Sequence, residues 1–398
     1  MRILHTSDWH LGRSFHRVGM LHAQAAYVDH LLDVVEQERV DLVVVSGDVH
    51  DRALPPVDAV ELADETFARL AASRATVVVS SGNHDSPARL GFNARLADAA
   101  GVHLRSRWQD VGTPVLLEDE HGQVAVHAIP YLEPDAVRAP WQIAGRSHEA
   151  ALTAAMTRVH ADLADRHGAR SVVLAHAFVA GSAEAAPRMA SDSERDISVG
   201  GIQIAPTGLF ADVSYAALGH LHGAQVLTDT VRYSGSPLAY SFSEAQQTKG
   251  SWLVDLRADG VTACELVPAP VPRRLASVRG RIDDLLRDPL HAPVEDSWLQ
   301  VTLTDARRPQ HAMDRLLARF PHTLLIGFEP EGAERRPGPV LPRVDGRSDL
   351  DVALGFVAEV RELEASTEEE LLLQLACDSC RIDSDRDADF RVGQELSG

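Results

Sequence analysis

At 398 residues the chain is long enough for one large core and one or two smaller units, and its 45% apolar and 24% charged residues are those of an ordinary soluble globular protein. A formal net charge of −20, with one lysine at position 249, excludes a free-standing protein that grips polyanions by general electrostatics. Three cysteines exclude a disulfide framework, and no stretch reaches the ~20 apolar residues of a membrane span.

The opening residues carry no apolar leader, which predicts a cytoplasmic protein. Arg2–Thr6 reads as a short apolar strand ending at Asp8. Residues 23–38 repeat apolar positions at helical spacing (Leu31, Leu32, Val35), and Asp41–Ser46 is a continuous apolar strand ending at Gly47-Asp48. A helix follows Pro55-Pro56, and Thr76–Ser80 is a second valine-rich strand, ending at Gly82-Asn83. Such runs, separated by helices, predict a mostly parallel sheet buried on both faces, with its functional residues at the carboxyl edge.

The middle of the chain is richer in strands. Val115–Leu117 and Val124–Ile129 flank a turn at Glu120-His121-Gly122, and a long helix over 147–167 leads into Ser171–Ala175, which ends at His176. Residues 180–200 read as a loop. Ser214–Leu218 delivers Gly219-His220, and strands near Val231–Tyr233 and Ser251–Leu256 close a first domain, residues 1–268. After the proline-rich boundary Pro268–Pro272, residues 273–335 predict a small α+β domain. A polar stretch over 331–347 precedes a helical segment, 348–380, with an apolar stripe at Leu350, Leu354, Val357, Val360 and Leu363. The tail 381–398, rich in Asp and Arg, reads as disordered.

Five islands of metal-binding residue types recur in a fixed order: Asp8-Trp9-His10, Gly47-Asp48, Gly82-Asn83-His84-Asp85, His176, and Gly219-His220-Leu221-His222. No single island is specific, since a lone D-x-H or H-x-H arises by chance and G-N-H-D can be a capped turn. The specificity lies in the set, each member following an apolar strand-like run. His5, His22, His30, His103, His121, His127, His160 and His167 have no such convergent partners and read as structural or surface histidines. His50 lies close enough to Asp48 for a supporting or substrate-contact role. Cys377 and Cys380 have metal or redox spacing but no second pair, and read as incidental thiols.

Hydrolysis of a phosphodiester needs an activated water, charge neutralisation on the phosphoryl oxygens and a proton for the leaving alkoxide. Two divalent ions about 3.5–4 Å apart do the first two jobs together. Asp48, directly after a strand and preceded by a glycine, is the candidate bridging carboxylate. Asp8 and His10, on one side of an extended strand end, can converge on one ion, while His220 and His222 can serve the two ions separately. Asn83 offers a carboxamide oxygen and His176 an imidazole. Oxygen and nitrogen donors without thiolate suit Mn²⁺ first, and accept Fe, Zn, Co or Mg to varying degrees. His84, diverging from its neighbour Asn83, is placed to stabilise the transition state or protonate the leaving group, with Asp85 orienting its ring.

These motifs resemble the signature of the calcineurin-like metallophosphoesterase superfamily (D-x-H, G-D, G-N-H-[DE], H, G-H-x-H) over residues 1 to about 222. Within it the chain resembles the SbcD branch, nuclease subunits that pair with SbcC-type ATPases in processing DNA ends. The opening Met1–Arg13, the loop Ser191–Gly201 and the segment Tyr233–Gly250 carry that narrower likeness. His50 stands where family members more often have an aromatic residue. The resemblance implies an α/β fold, a four-layer sandwich of two mixed β-sheets flanked by helices, with a small DNA-capping domain and a C-terminal helical segment docking on the ATPase. It assigns one ion to Asp8, His10, Asp48 and His222, the other to Asp48, Asn83, His176 and His220, and the proton to His84. It further implies a manganese-dependent single-strand endonuclease and 3′-to-5′ double-strand exonuclease, gated by ATP on the partner, dimeric within a heterotetramer and associated with the nucleoid in repair and recombination. An apolar face near Leu54–Leu70 or Leu90–Ala100 is the candidate dimer surface. The competing readings are a small-molecule phosphodiesterase or phosphatase of the same superfamily, and a non-catalytic scaffold with a vestigial site.

Ligation requires neutral imidazoles, so metal occupancy and activity should fall below about pH 6. Metal titration at pH 5 and pH 7.5 checks this; full occupancy at the lower value would contradict it.

Overall fold

The computed structural model describes residues 1–181, 189, 191–192, 194, 204–331, 348–361 and 364–377. The tail 381–398, Cys380 and most of the 180–200 loop lie outside the described residues. The chain forms two compact units, Met1–Glu329 and Pro330–Gly398.

In the first unit the order is β1 (Arg2–Thr6), α1 (Leu21–Gln37), β2 (Leu42–Ser46), α2 (Val57–Ala71), β3 (Thr76–Ser80), β4 (Val102–Arg105), β5 (Val115–Asp119), β6 (Gly122–Ile129), α3 (His148–Ala164), β7 (Arg170–His176), β8 (Tyr215–Gly219), β9 (Gln225–Val226), β10 (Val231–Tyr233), β11 (Gly250–Arg257) and β12 (Gly260–Pro268). Two six-stranded sheets result, ordered β12-β11-β1-β2-β3-β4 and β9-β10-β8-β7-β6-β5. β1 through β4 are mutually parallel, as are β6, β7, β8 and β10, while β11 closes antiparallel on β1 (Arg2 opposite Asp255).

The unbroken valine runs are explained by what covers them. Along β2, Val43 and Val45 join Tyr27, Leu31 and Val35 of α1 and Ala59, Ala63 and Leu70 of α2 in one core. Leu42 and Val44 instead meet Val126, Val172, Leu174 and Ala217 of the other sheet. Side chains alternate faces along a strand, so a strand covered on both sides must be apolar throughout. On the second sheet, Val173, Ala175, Ala216 and Leu218 bury Leu152, Ala155, Met156 and Val159 of α3. Ser147 caps that helix, its side chain accepting from the Ala150 amide at 3.1 Å. Helix, sheet, sheet and helix therefore form the four layers.

Residues beyond Pro268 add β13 (Leu275–Gly280), β14 (Trp298–Leu303) and β15 (Thr323–Phe328), all parallel, with short helices Ile282–Arg287 and Ala312–Leu317 between them. The small unit expected as α+β is thus wound as alternating strand and helix. Leu275, Trp298 and Leu324 pack on Phe15, Leu238, Tyr240 and Phe242, which seats this sheet on loops of the first domain. In the second unit, Asp349–Arg361 and residues 367–377 are helical.

The space between the sheets also holds a buried imidazole. His5, fully buried on β1, takes a hydrogen bond from the Tyr215 hydroxyl at Nδ1 (2.9 Å) and donates from Nε2 to the Leu218 carbonyl (3.1 Å). Burial pushes its pKa from 6.5 down to about 3, so the ring is neutral in the folded protein. The unfolded chain binds this proton first, so His5 costs stability as pH falls from 6.5 toward 3. The loss should reach about 2 kcal/mol between pH 7 and pH 5. Denaturant titrations at both pH values should show this pH dependence reduced by that amount in a His5→Leu variant.

Candidate metal centre

The site forms where the carboxyl ends of β1, β2 and β3 meet those of β7 and β8. Turns after β1 and β2 are laced together: Asp8 N–H donates to the Gly47 carbonyl (3.1 Å), His10 N–H to Asp48 (3.0 Å) and Leu11 N–H to Val49 (2.9 Å). Asp8, His10 and Asp48 have left-handed backbone (φ 54°, 47° and 50°), and His220 lies at φ 108°. This corrects the expectation of an extended strand end: left-handed backbone at both residues, not strand alternation, sets how Asp8 and His10 are presented. Such conformations cost about 1–3 kcal/mol each and persist where the surroundings over-determine them. Gly47, at φ 86°, has no room for a side chain, since a Cβ would run into the His176 ring. A Cβ on Gly219 would strike the Ser46 carbonyl.

All seven residues predicted as ligands converge. Ligand atoms of Asp8, His10 and His222 lie within 4.8 Å of one another, as do those of Asp8, Asp48 and His176. His10 Nε2 is 3.1 Å from His222 Nε2 and 3.6 Å from Asp48 Oδ2, which is 3.4 Å from His176 Nε2. Asn83 Oδ1 lies 2.9 Å from His176 Nε2 and 3.1 Å from His220 Nδ1. Asp48 stands between the two groups, 2% exposed.

The electrostatics are those of a crowded cation site. Burial alone would raise the Asp48 carboxyl, but the charge and hydrogen bond of His176, with His10 and His84, hold it far below the usual carboxylate range. Burial and the Asp48 charge push Asp8 up to about 6, against the opposing pull of His176 and His222. His176 is raised to about 9, Asp48 overcoming the effect of burial, whereas burial and the neighbouring His176 push His220 down to about 3. Among the described residues His10 Nδ1 is buried without a hydrogen-bond partner, 3.6 Å from Asp51 Oδ1. Two buried carboxylates, a carboxamide oxygen and four imidazoles, facing one another at these distances, fit divalent cations.

Other groups fix the ligands. His176 Nδ1–H donates to the Ser46 carbonyl (2.8 Å), which leaves Nε2 as the ligating nitrogen. Glu244 Oε1 is 3.5 Å from His222 Nδ1, and Lys249 pairs with Glu244 (2.5 Å) while donating to the His222 carbonyl (2.7 Å). The Glu194 carboxylate accepts from the His222 amide. Sequence reasoning singled out the 233–249 segment without assigning Glu244 or Lys249 this task. A signal existed: one lysine among 38 basic residues.

His84 is half-buried and also lies within ligand reach of His10 and Asp48. Its Nδ1–H donates to the Asp51 carbonyl (2.8 Å), and its backbone amide to Asp48 Oδ1 (2.9 Å). Asp85 does not orient the His84 ring, contrary to expectation. Its carboxylate accepts from the amides of Gly82, Val49 and His50 (3.0, 3.1 and 2.9 Å), clamping the third island's loop to the second. His50 Nδ1 lies 3.4 Å from the same carboxylate.

Residues 1–176 match the family described as calcineurin-like phosphoesterase. Residues 271–372 match the SbcD_C family, described as type 5 capsule protein repressor C-terminal domain. Among solved structures, the chain is similar to TT1561 of Thermus thermophilus, at 14% identity, a TM-score of 0.40, and coverage of 67% of this chain and 98% of that one. A family 1 β-glucosidase from Thermotoga maritima aligns at 10% identity and a TM-score of 0.18, over 76% of each chain. Scores this low bear no functional argument.

Asp48→Ala should weaken binding of both ions by on the order of 100-fold or more, whereas Asp85→Ala should lower thermal stability with a smaller effect on metal affinity. Calorimetric metal titration alongside thermal melts separates the two.

Proposed function

We propose, for a chain that belongs to the calcineurin-like phosphoesterases of SbcD type, that it is a metal-dependent DNA nuclease subunit, a single-strand endonuclease and 3′-to-5′ double-strand exonuclease working with an SbcC-type ATPase. The observation that carries this reading over a small-molecule phosphoesterase is the SbcD_C match across residues 271–372, after the phosphoesterase domain. The reading places the chain in the cytoplasm, at DNA ends and hairpins arising in repair and recombination.

Two divalent ions, Mn²⁺ first among them, would supply water activation and charge neutralisation at the phosphoryl group. Asp8, His10 and His222 would hold one, Asn83, His176 and His220 the other, and Asp48 both. His84 does the work of a proton donor. The Asp51 carbonyl occupies Nδ1–H, which leaves Nε2 as the nitrogen that would pass a proton to the departing alkoxide. Asp85 acts at one remove, by fixing the loop that carries His84.

Exposed apolar residues support the partner assignments. Phe356, Leu371, Leu372 and Leu375 are 59–66% exposed on the C-terminal helices, which favours docking on the ATPase's coiled coil. Leu54 and Val57, and Phe92 and Leu96, are 67–75% exposed, which favours a homodimer through one or the other of these apolar surfaces. The parallel three-stranded unit over residues 275–328 is the candidate DNA cap.

With Mn²⁺, the chain should cut 5′-labelled hairpin DNA, more strongly with the partner ATPase and ATP. Turnover of bis-p-nitrophenyl phosphate without DNA cleavage under any of these conditions would instead favour the small-molecule reading. His84→Ala should lower kcat by about 10²–10⁴-fold with metal affinity retained, checked by single-turnover kinetics and metal titration.

A further inference from the structure

Beside the metal centre lies a cavity of about 500 Å³, open between the 82–88 loop, residues 106–109 and residues 131–137. It shares a wall with the site, because Asn83 lines it and also touches His176 and His220. The lining includes the apolar Pro87, Ala88, Leu132 and Val137, together with two aromatic side chains, Trp108 and Tyr131. Trp108 is braced edge-on by Trp141 (ring centroids 5.8 Å, 84° between planes). Tyr131 is anchored by its amide on the Ser81 carbonyl (2.8 Å), with its ring edge-on to His176 at 6.4 Å.

The cations nearby differ in their commitments. Arg105 is paired with Asp98 at 2.9 Å. The Arg107 side chain, exposed on the cavity's lining, has no ion pair or hydrogen bond among the described residues. In a chain of net charge −20, an uncommitted guanidinium beside a candidate phosphodiester site is a selective feature. A bare phosphoryl group needs no apolar aromatic slot; a nucleobase does, because every base offers a π-face to stack.

We propose that this cavity receives one unpaired nucleobase of the nucleotide joined at the scissile phosphate, with Trp108 and Tyr131 as its aromatic walls and Arg107 on the neighbouring backbone phosphate. The inference rests on the nuclease reading above and deepens it. A base must leave the helix to enter, so frayed or single-stranded positions are the preferred substrates.

The test uses the full chain with Mn²⁺ and single-stranded oligonucleotides, intact or carrying one tetrahydrofuran abasic residue beside the mapped cut. Wild type should cut the abasic strand with kcat/KM lowered about tenfold. Trp108→Ala should bring that intact-to-abasic ratio close to one, and Trp108→Phe should keep most of it. The ratio is internal to each protein, so a fraction of unfolded variant does not move it. An even ratio in wild type, or an undiminished ratio in Trp108→Ala, overturns the subsite and leaves the nuclease reading standing. Turnover of bis-p-nitrophenyl phosphate with no DNA cleavage by wild type overturns both.

Discussion

A carboxylate taken almost completely out of water, yet kept ionised, sets the terms for the rest of this molecule. Asp48 keeps its charge because His176 and His10 lie beside it and the His84 amide donates to it. Those partners arrive from two different sheets, so the sheets must meet at a fixed offset. Ser46, the last residue of β2, enforces that offset. Its carbonyl accepts a hydrogen bond from His176 Nδ1–H and lies against Gly219, while its hydroxyl donates to the Ala217 carbonyl (2.8 Å). The inter-sheet core of Ile3, Leu42, Val44, Leu174 and Ala217 then reads as the apolar filling of a gap whose width the polar contacts define.

Much of this was legible in the sequence, for identifiable reasons. Strands covered on both faces must be continuous apolar runs, and ligands at strand ends must follow them directly, so the islands and their carriers could be located together. What escaped depended on conformation or on distant chemistry. Nothing in the residue types of Asp8-Trp9-His10 announces left-handed backbone at both ligands. Asp85 misled by adjacency: neighbouring side chains on a tight loop diverge, and its carboxylate found one amide in its own island and two just after the second. Glu194 and Glu244 reach His222 across 28 and 22 residues, a relation no local pattern encodes. β12 was missed because its side chains are mostly half-buried or exposed and show no clean alternation.

The charge balance has a structural counterpart. Many arginines are already committed to acids at the surface, among them Arg74 to Asp41, Arg146 to Asp135 and Arg315 to Asp283. Exposed pairs of this kind contribute little to stability, but they remove cations from the long-range field. Beside the candidate site the Arg107 guanidinium has no ion pair among the described residues, so it and a bound metal would supply positive potential there. The buried Glu244–Lys249 pair serves a different end. Its charges are satisfied locally, and it holds His222 from both its ring and its backbone.

The pairing of β1 with β11 has a consequence for how the chain reaches this state. The edge of β1 is closed by residues 252–255, so during synthesis from the amino end the first sheet waits through more than half the chain with one row of backbone groups unmet. The helices of the first segment can settle on β1 through β4 meanwhile, but the opposite face of that sheet stays uncovered until the second sheet is complete. Closure is then a late, non-local event of the kind that slows folding and exposes sticky edges along the way. A ribosome that stalled before β11 would release a nascent chain with its first sheet unfinished, and such a fragment would be prone to pair with another of its kind.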